Sequence, residues 1–237
     1  MKREKKISEK QKFILSLDNK RFEELSSNFQ AFIKFMFNDV KDDDIIFCNK
    51  HNGTKIDYVI KVNNVKKNIS FTTGKIVCIH RERINNFIIF LSSLKVSKEC
   101  LLSLLSYHYA DGTYDGSGED KCYGEMLKLE YQKQVEIVNN EFNNKELLSK
   151  VIDYVLMEER SGETVDYFYH GDCRKGVFAT AACVKARMLS EENNYPHKYM
   201  RIGVMNFMPL QRCHIYKENT ERLKSNFILK VNIGRYI

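Results

Sequence analysis

Downstream of Asp18 the apolar residues Phe22, Leu25, Phe29, Phe32, Ile33 and Met36 recur at three- and four-residue spacing. That period predicts an amphipathic helix, N-capped by Asp18 and ending near Asn38. A polar DDD loop at 42–44 leads into a short strand, IIFCN (45–49), and an Asn52-Gly53 turn. DYVIKV (57–62) and KNISFTT (67–73) read as the two strands of a hairpin. RERINNFIIFLSSL (81–94) is helical in pattern, and Ser97 caps a second helix, KECLLSLLSYHY. After a Gly/Asp loop, helices are expected near 124–138 and 145–159. Beyond Gly162 the pattern turns strand-like at 164–170, 177–184, 199–207, 211–216 and 227–233.

The order helix, strands, helices, strands predicts an α/β fold of the α+β kind. Its mixed sheet would be flanked by helices and assembled from both ends of the chain. A length of 237 residues and two prolines, with no low-complexity tract or internal repeat, favour one domain over 1–237. Its parts would be a helix and hairpin at 18–95, a helical segment at 96–160 and a strand-rich segment at 161–237.

Charge sharpens this picture. The net charge is +7, with four bases in MKREKK and eight Lys or Arg against two acids from Lys198 to Arg235. A basic surface of this kind suits a polyanion such as nucleic acid, and equally serves solubility. The seven cysteines form no CxxC pair, the six histidines no HxxxH, and the first residues no signal-peptide run. These features point to a cytoplasmic protein with reduced thiols. No apolar segment approaches the ~20 residues needed to span a bilayer.

Candidate chemistry concentrates in the hairpin. Asp57 opens one strand, and Asn68, Ser70 and Thr72 alternate along the other, so they share one face. A carboxylate and polar groups converging there fit the hard oxygen ligands that Mg²⁺ takes in phosphodiester chemistry. A half-exposed strand with its polar face in water gives the same pattern without any function. The loop DGTYDGSGED (111–120) has Cys122 where a calcium loop needs a bidentate Glu, so it reads as a surface loop. Cys173 in YHGDCRKG has bases nearby that could lower a thiol pKa.

The hairpin resembles that of the PD-(D/E)xK nucleases, with Asp57, Asn68, Ile69 and Ser70 in the motif positions. The element order resembles small type II restriction endonucleases, especially those cutting CCGG and GCGC, where the second motif position is already an amide. NISFTTGK, RINNFIIFL and VSKECLLSLLSYHYADG follow in the family's order, and the tail LQR…FILK is similar to its recognition segment and last strand. The resemblance implies a restriction-endonuclease-like core and a Mg²⁺-dependent, sequence-specific endonuclease acting on double-stranded DNA, as a monomer or a homodimer. It implies Asp57, Glu23 and the Ile69 carbonyl as metal ligands, and Asn68 as a group positioning the metal or its water. Gln211 and Arg212 would read base edges, while Lys217, Arg222, Lys224 and Lys230 would meet phosphates. The chain departs from the family at Ser70, which stands where a catalytic lysine belongs. Lys75, brought back by a bend at Gly74, is the first choice of substitute, with Lys66 and Lys67 as others. The alternative is a degenerate nuclease-fold protein that binds DNA or a partner without cutting.

Overall fold

The computed structural model describes residues 7–118, 127, 129–191, 199–210 and 225–237. Two compact units interleave along the chain. One comprises residues 1–77, 156–187 and 232–237, the other 78–155 and 188–231.

In the first unit the helix expected between Asp18 and Asn38 is a short strand, a 3-10 turn and a helix, and another helix precedes it. Glu9–Leu17 (α1) begins with a capping box, in which the Ser8 hydroxyl accepts the Gln11 N–H and the Gln11 side chain accepts the Ser8 N–H. Asp18 closes this helix instead of opening the next, and its carboxylate accepts the Cys48 N–H at 3.0 Å. Asn19 turns the chain with φ 54°, Lys20–Arg21 (β1) pairs briefly, and Phe22–Glu24 forms a single 3-10 turn. Ser27–Met36 (α2) then carries the apolar stripe.

Ile45–Lys50 (β2), Tyr58–Val62 (β3) and Val65–Thr72 (β4) follow as an antiparallel run. Tyr167–His170 (β6) adds parallel to β4, and Val177–Thr180 (β7) antiparallel to β6. The mixed sheet has the order β1-β2-β3-β4-β6-β7. Ala181–Ser190 (α7) follows β7 directly. The apolar run 177–184 is therefore half strand and half helix. The Thr180 hydroxyl accepts the Cys183 N–H, and Val184 and Met188, one turn apart, are fully buried.

One face of this sheet is covered by an aromatic cluster. Phe13 contacts Phe29, Phe32, Tyr58, Phe71 and Tyr169 with ring centroids 4.8–6.4 Å apart. Ile69, Phe71 and Tyr58 belong to this core. Alternation therefore turns Asn68, Ser70 and Thr72 to the opposite face.

The second unit holds Val77–Arg83 (β5), Ile84–Ser93 (α3), Lys98–Tyr109 (α4), Gln132–Glu141 (α5) and Lys145–Ile152 (α6). The Ser97 hydroxyl accepts the Cys100 N–H, giving the expected cap of α4. The helix expected at 81–94 begins only at Ile84, because its first residues extend β5. Arg201–Ile202 (β8), Met205–Pro209 (β9) and Asn226–Val231 (β10) complete a second sheet of order β5-β10-β9-β8. The strands expected in a single sheet thus divide between two. Phe227 packs on Phe87 and Phe207 at 4.9 Å each. Among the described residues no helix is long and apolar enough to cross a membrane.

Candidate active site

Asp57 lies one residue before β3 and grips β4 on both sides of Ser70. Its N–H donates to the Ile69 carbonyl (2.8 Å), and its Oδ2 accepts the Phe71 N–H (2.9 Å). Its Oδ1 is paired with the ammonium of Lys10, from the first turn of α1. Asp57 keeps 24% of its side-chain surface exposed and Lys10 keeps 60%, so solvent reaches the pair.

The turn that presents Asp57 is held by Glu159. Its Oε1 accepts the N–H groups of Lys55 and Ile56, and its Oε2 accepts the Thr54 hydroxyl. Burial alone would raise the Glu159 pKa, but these donors outweigh it and hold the carboxyl below its ordinary value. Glu163, in the same loop, bonds Lys66 (3.3 Å) and His51 (3.2 Å), and these two partners lower its pKa.

Asn68 and Ser70 are nearly buried, at 8% and 7% exposure. Asn68 Nδ2 donates to the Thr164 carbonyl (2.9 Å), and the Asn68 N–H donates to Asp166 Oδ2 (2.8 Å). Asn68 Oδ1 is buried and has no hydrogen-bond partner. Such an orphaned acceptor costs about 1–3 kcal/mol, so it marks a place where a ligand would relieve a cost. The polar row ends at Thr72, whose hydroxyl lies 3.0 Å from Nδ1 of His170, a ring whose pKa is lowered by burial.

The structure therefore brings together Asp57, Asn68, Ile69 and Ser70, and leaves other expected residues elsewhere. Glu23 is exposed in the 3-10 turn and pairs with Arg21 at 3.9 Å. Its N–H bonds Asp42, whereas the far end of β2 leads to His51, whose N–H bonds the Asp57 carbonyl. Six residues of strand, roughly 20 Å at 3.4 Å each, separate those ends, so Glu23 is no ligand of an Asp57 site. The Ile69 carbonyl, expected to be open, already accepts the Asp57 N–H. Gly74 does bend the chain, with φ 88°, but Lys75 stays exposed there while Lys10 pairs with Asp57. Lys66 bonds Glu163, and Lys67 lies over the Tyr167 ring at 5.9 Å.

Lys230 is partly buried in β10, opposite Asn206. Gln211, Arg212, Lys217, Arg222 and Lys224 lie outside the described residues. Burial pushes the Cys173 pKa up, against the lowering that neighbouring bases would give. In the Gly/Asp loop Asp111 bonds Thr113 and Asp115 bonds Ser117, which ties these carboxylates into local turns.

Sequence reasoning missed Lys10, Glu159 and Asp166. The spacing Ser8–Gln11, followed by Phe13, Ile14 and Leu17, is a helix-start signal that could have placed Lys10 on a helix. No local signal tied Glu159 to a turn a hundred residues earlier.

Among the described residues no three His, Cys, Asp or Glu side chains form a metal cage. Mg²⁺ needs none, since it binds through one or two protein oxygens and keeps waters or phosphate oxygens. Asp57 and the unpartnered Asn68 Oδ1 are oxygen donors of that hard type.

The comparisons agree with this architecture. Neither a family model nor a curated protein sequence matches the chain. A solved structure does: the restriction endonuclease MspI in complex with its cognate DNA. It matches over 92% of this chain and 86% of that one, with 13% identity and a TM-score of 0.51. The chain has a restriction-endonuclease-like fold.

Proposed function

We propose that the chain is a Mg²⁺-dependent, site-specific endonuclease of the restriction type that cuts double-stranded DNA in the cytoplasm. The observation that carries this reading is the hairpin itself, with Asp57 clasping β4 around Ser70 while Asn68 keeps a buried, unpartnered oxygen two residues away. The fold it shares with a restriction endonuclease supports the same reading, as does the excess of positive charge.

In the proposed reaction water attacks the scissile phosphorus in line and releases a proton to solvent as its P–O bond forms, the opposite P–O bond breaks, and the departing oxygen takes a proton from solvent. Asp57 and Asn68 Oδ1 would hold the ion. Bound Mg²⁺ would supply charge stabilisation at the phosphate and a more acidic water. Glu159 acts on the backbone that carries Asp57, so it is a positioning residue. Gln211 and Arg212 are proposed to read bases, and Lys217, Arg222, Lys224 and Lys230 to hold phosphates.

A second reading, a DNA-binding relative that does not cut, is favoured by serine at position 70. Long genomic DNA incubated with the protein and Mg²⁺ separates the two. Discrete fragments that vanish with Asp57→Ala and with chelator support the enzyme. Salt-sensitive binding without fragments supports the non-cutting relative. Absence of both removes DNA from the reading altogether.

A further inference from the structure

We propose that Lys10, on α1, supplies the positive charge that the hairpin lacks at position 70, and that it contacts the scissile phosphate. This rests on the nuclease reading above and assigns that site its missing cation.

The argument begins with how Lys10 is held. Two consecutive residues of the hairpin grip it at both ends. Tyr58, buried to 1% exposure, donates its hydroxyl to the Lys10 carbonyl at 2.9 Å. Its neighbour Asp57 pairs with the Lys10 ammonium. One turn along, Phe13 stacks on Tyr58 at 4.8 Å with an interplanar angle of 21°. Phe13 and Leu17 are fully buried and dock the helix on the sheet. Lys10 is therefore placed by the core, unlike a surface lysine that meets a carboxylate by chance.

The position is also the right one chemically. Asp57 brackets Ser70 through its bonds to Ile69 and Phe71. The residue that brackets Ser70 thus carries an ammonium on its Oδ1, although Ser70 itself supplies none. Its 60% exposure leaves it free to leave Asp57 for a non-bridging oxygen of an incoming phosphate. A partly exposed pair of this kind contributes about 0–1 kcal/mol, so the exchange meets little resistance. Lys66, Lys67 and Lys75 have no such contact with Asp57 among the described residues.

The test uses the full chain, long genomic DNA and Mg²⁺, with binding measured separately in the absence of metal. Lys10→Ala is expected to slow fragment formation about 100-fold, as removal of a charge-stabilising donor does. It should also reduce the salt slope of DNA binding by about one, the signature of a lost phosphate contact. Two rescue arms follow. Ser70→Lys is introduced into Lys10→Ala, and ethylammonium is added to Lys10→Ala itself. Recovery in either arm, together with the reduced salt slope, supports the proposal. Recovery in neither, or an unchanged salt slope, makes Lys10 structural and overturns it. So does wild-type cutting by Lys10→Ala, or cutting lost in Lys75→Ala but kept in Lys10→Ala. These results leave the nuclease reading standing so long as Asp57→Ala abolishes cutting. If the wild-type chain does not cut, both fail.

Discussion

Glu159 is the residue whose removal tests most directly how the hairpin is held. One of its oxygens accepts two backbone N–H groups, from Lys55 and Ile56, and the other accepts the Thr54 hydroxyl. Glu159→Ala removes all three bonds. Ile56 is 1% exposed, so its N–H would be stranded away from water, whereas the Lys55 N–H and the Thr54 hydroxyl can turn to solvent. One stranded donor together with lost charge-assisted bonds totals about 2–4 kcal/mol. For a chain of this size that is a melting-temperature fall of roughly 5–15 °C. Glu159→Gln is the informative contrast. Its carbonyl can keep both N–H bonds and its amide can donate to Thr54, so only the charge assistance goes, about 1 kcal/mol. Urea unfolding of the three proteins at neutral pH measures these differences. The sign of the pH dependence follows from the depressed pKa. Wild type's advantage over Glu159→Gln is full above the ordinary glutamate value of 4.5 and fades as pH falls through the lower folded value. If Glu159→Gln costs as much as Glu159→Ala, or the advantage over Glu159→Gln does not shrink at all on acidification below 4.5, then Glu159 does not hold the turn as described.

Three further outcomes are expected. Gly176→Ala places a Cβ 1.9 Å from Tyr169 Cζ. Since Tyr169 is fully buried, differential scanning calorimetry should show a loss of about 1–3 kcal/mol from overpacking; an unchanged transition would mean that the ring moves freely. Phe13→Ala empties a fully buried site ringed by five aromatics, and chemical denaturation should register about 3–5 kcal/mol. A cost under 1 kcal/mol would argue against α1 docking there. Burial pushes the Cys48 and Cys100 thiols up to about 12, so a thiol reagent at pH 8 should label neither until the chain unfolds. Prompt labelling of either, located by peptide mass mapping, would contradict the packing.

The parts of this fold that were legible in the sequence are those that local chemistry decides. Ser97 capped α4 because its hydroxyl satisfies an N–H three residues on. The hairpin strands were found because β-branched and aromatic residues alternate there around a polar turn. The fold class was accessible through the order of elements, and the structure agrees with it. What stayed hidden depends on distance or on ambiguity. The run at 177–184 is apolar except for Thr180, and a short apolar run fits either a strand or a buried helix. It became both. Asp18 is a sound cap residue, but Asn19 with positive φ and the Cys48 N–H claimed it for the end of a helix. Division of the strands into two sheets is a matter of long-range pairing that no window of sequence contains. The same is true of the site, where Glu159 lies over a hundred residues from Lys55 and Ile56 in sequence and Lys10 lies 47 from Asp57.

The serine at position 70 is more intelligible once burial is considered. Side chains at 68 and 70 keep 8% and 7% of their surface, so a lysine on that strand would start its stem from a nearly water-free place and its ammonium would need a partner. Such a charge is costly unless it is paired and fully hydrogen-bonded. Asp57 is the available acid, but one of its oxygens is already committed to the Phe71 N–H. A cation arriving from α1 avoids most of that cost. Lys10 keeps 60% of its side-chain surface in water, its helix is anchored by Phe13 and Leu17, and only its tip approaches Asp57. On the proposed reading the charge is then available to a phosphate without having to be desolvated during folding. Its placement depends on the helix docking, so on the proposed nuclease reading Phe13→Ala should weaken DNA cutting as well as stability, although Phe13 itself is fully buried.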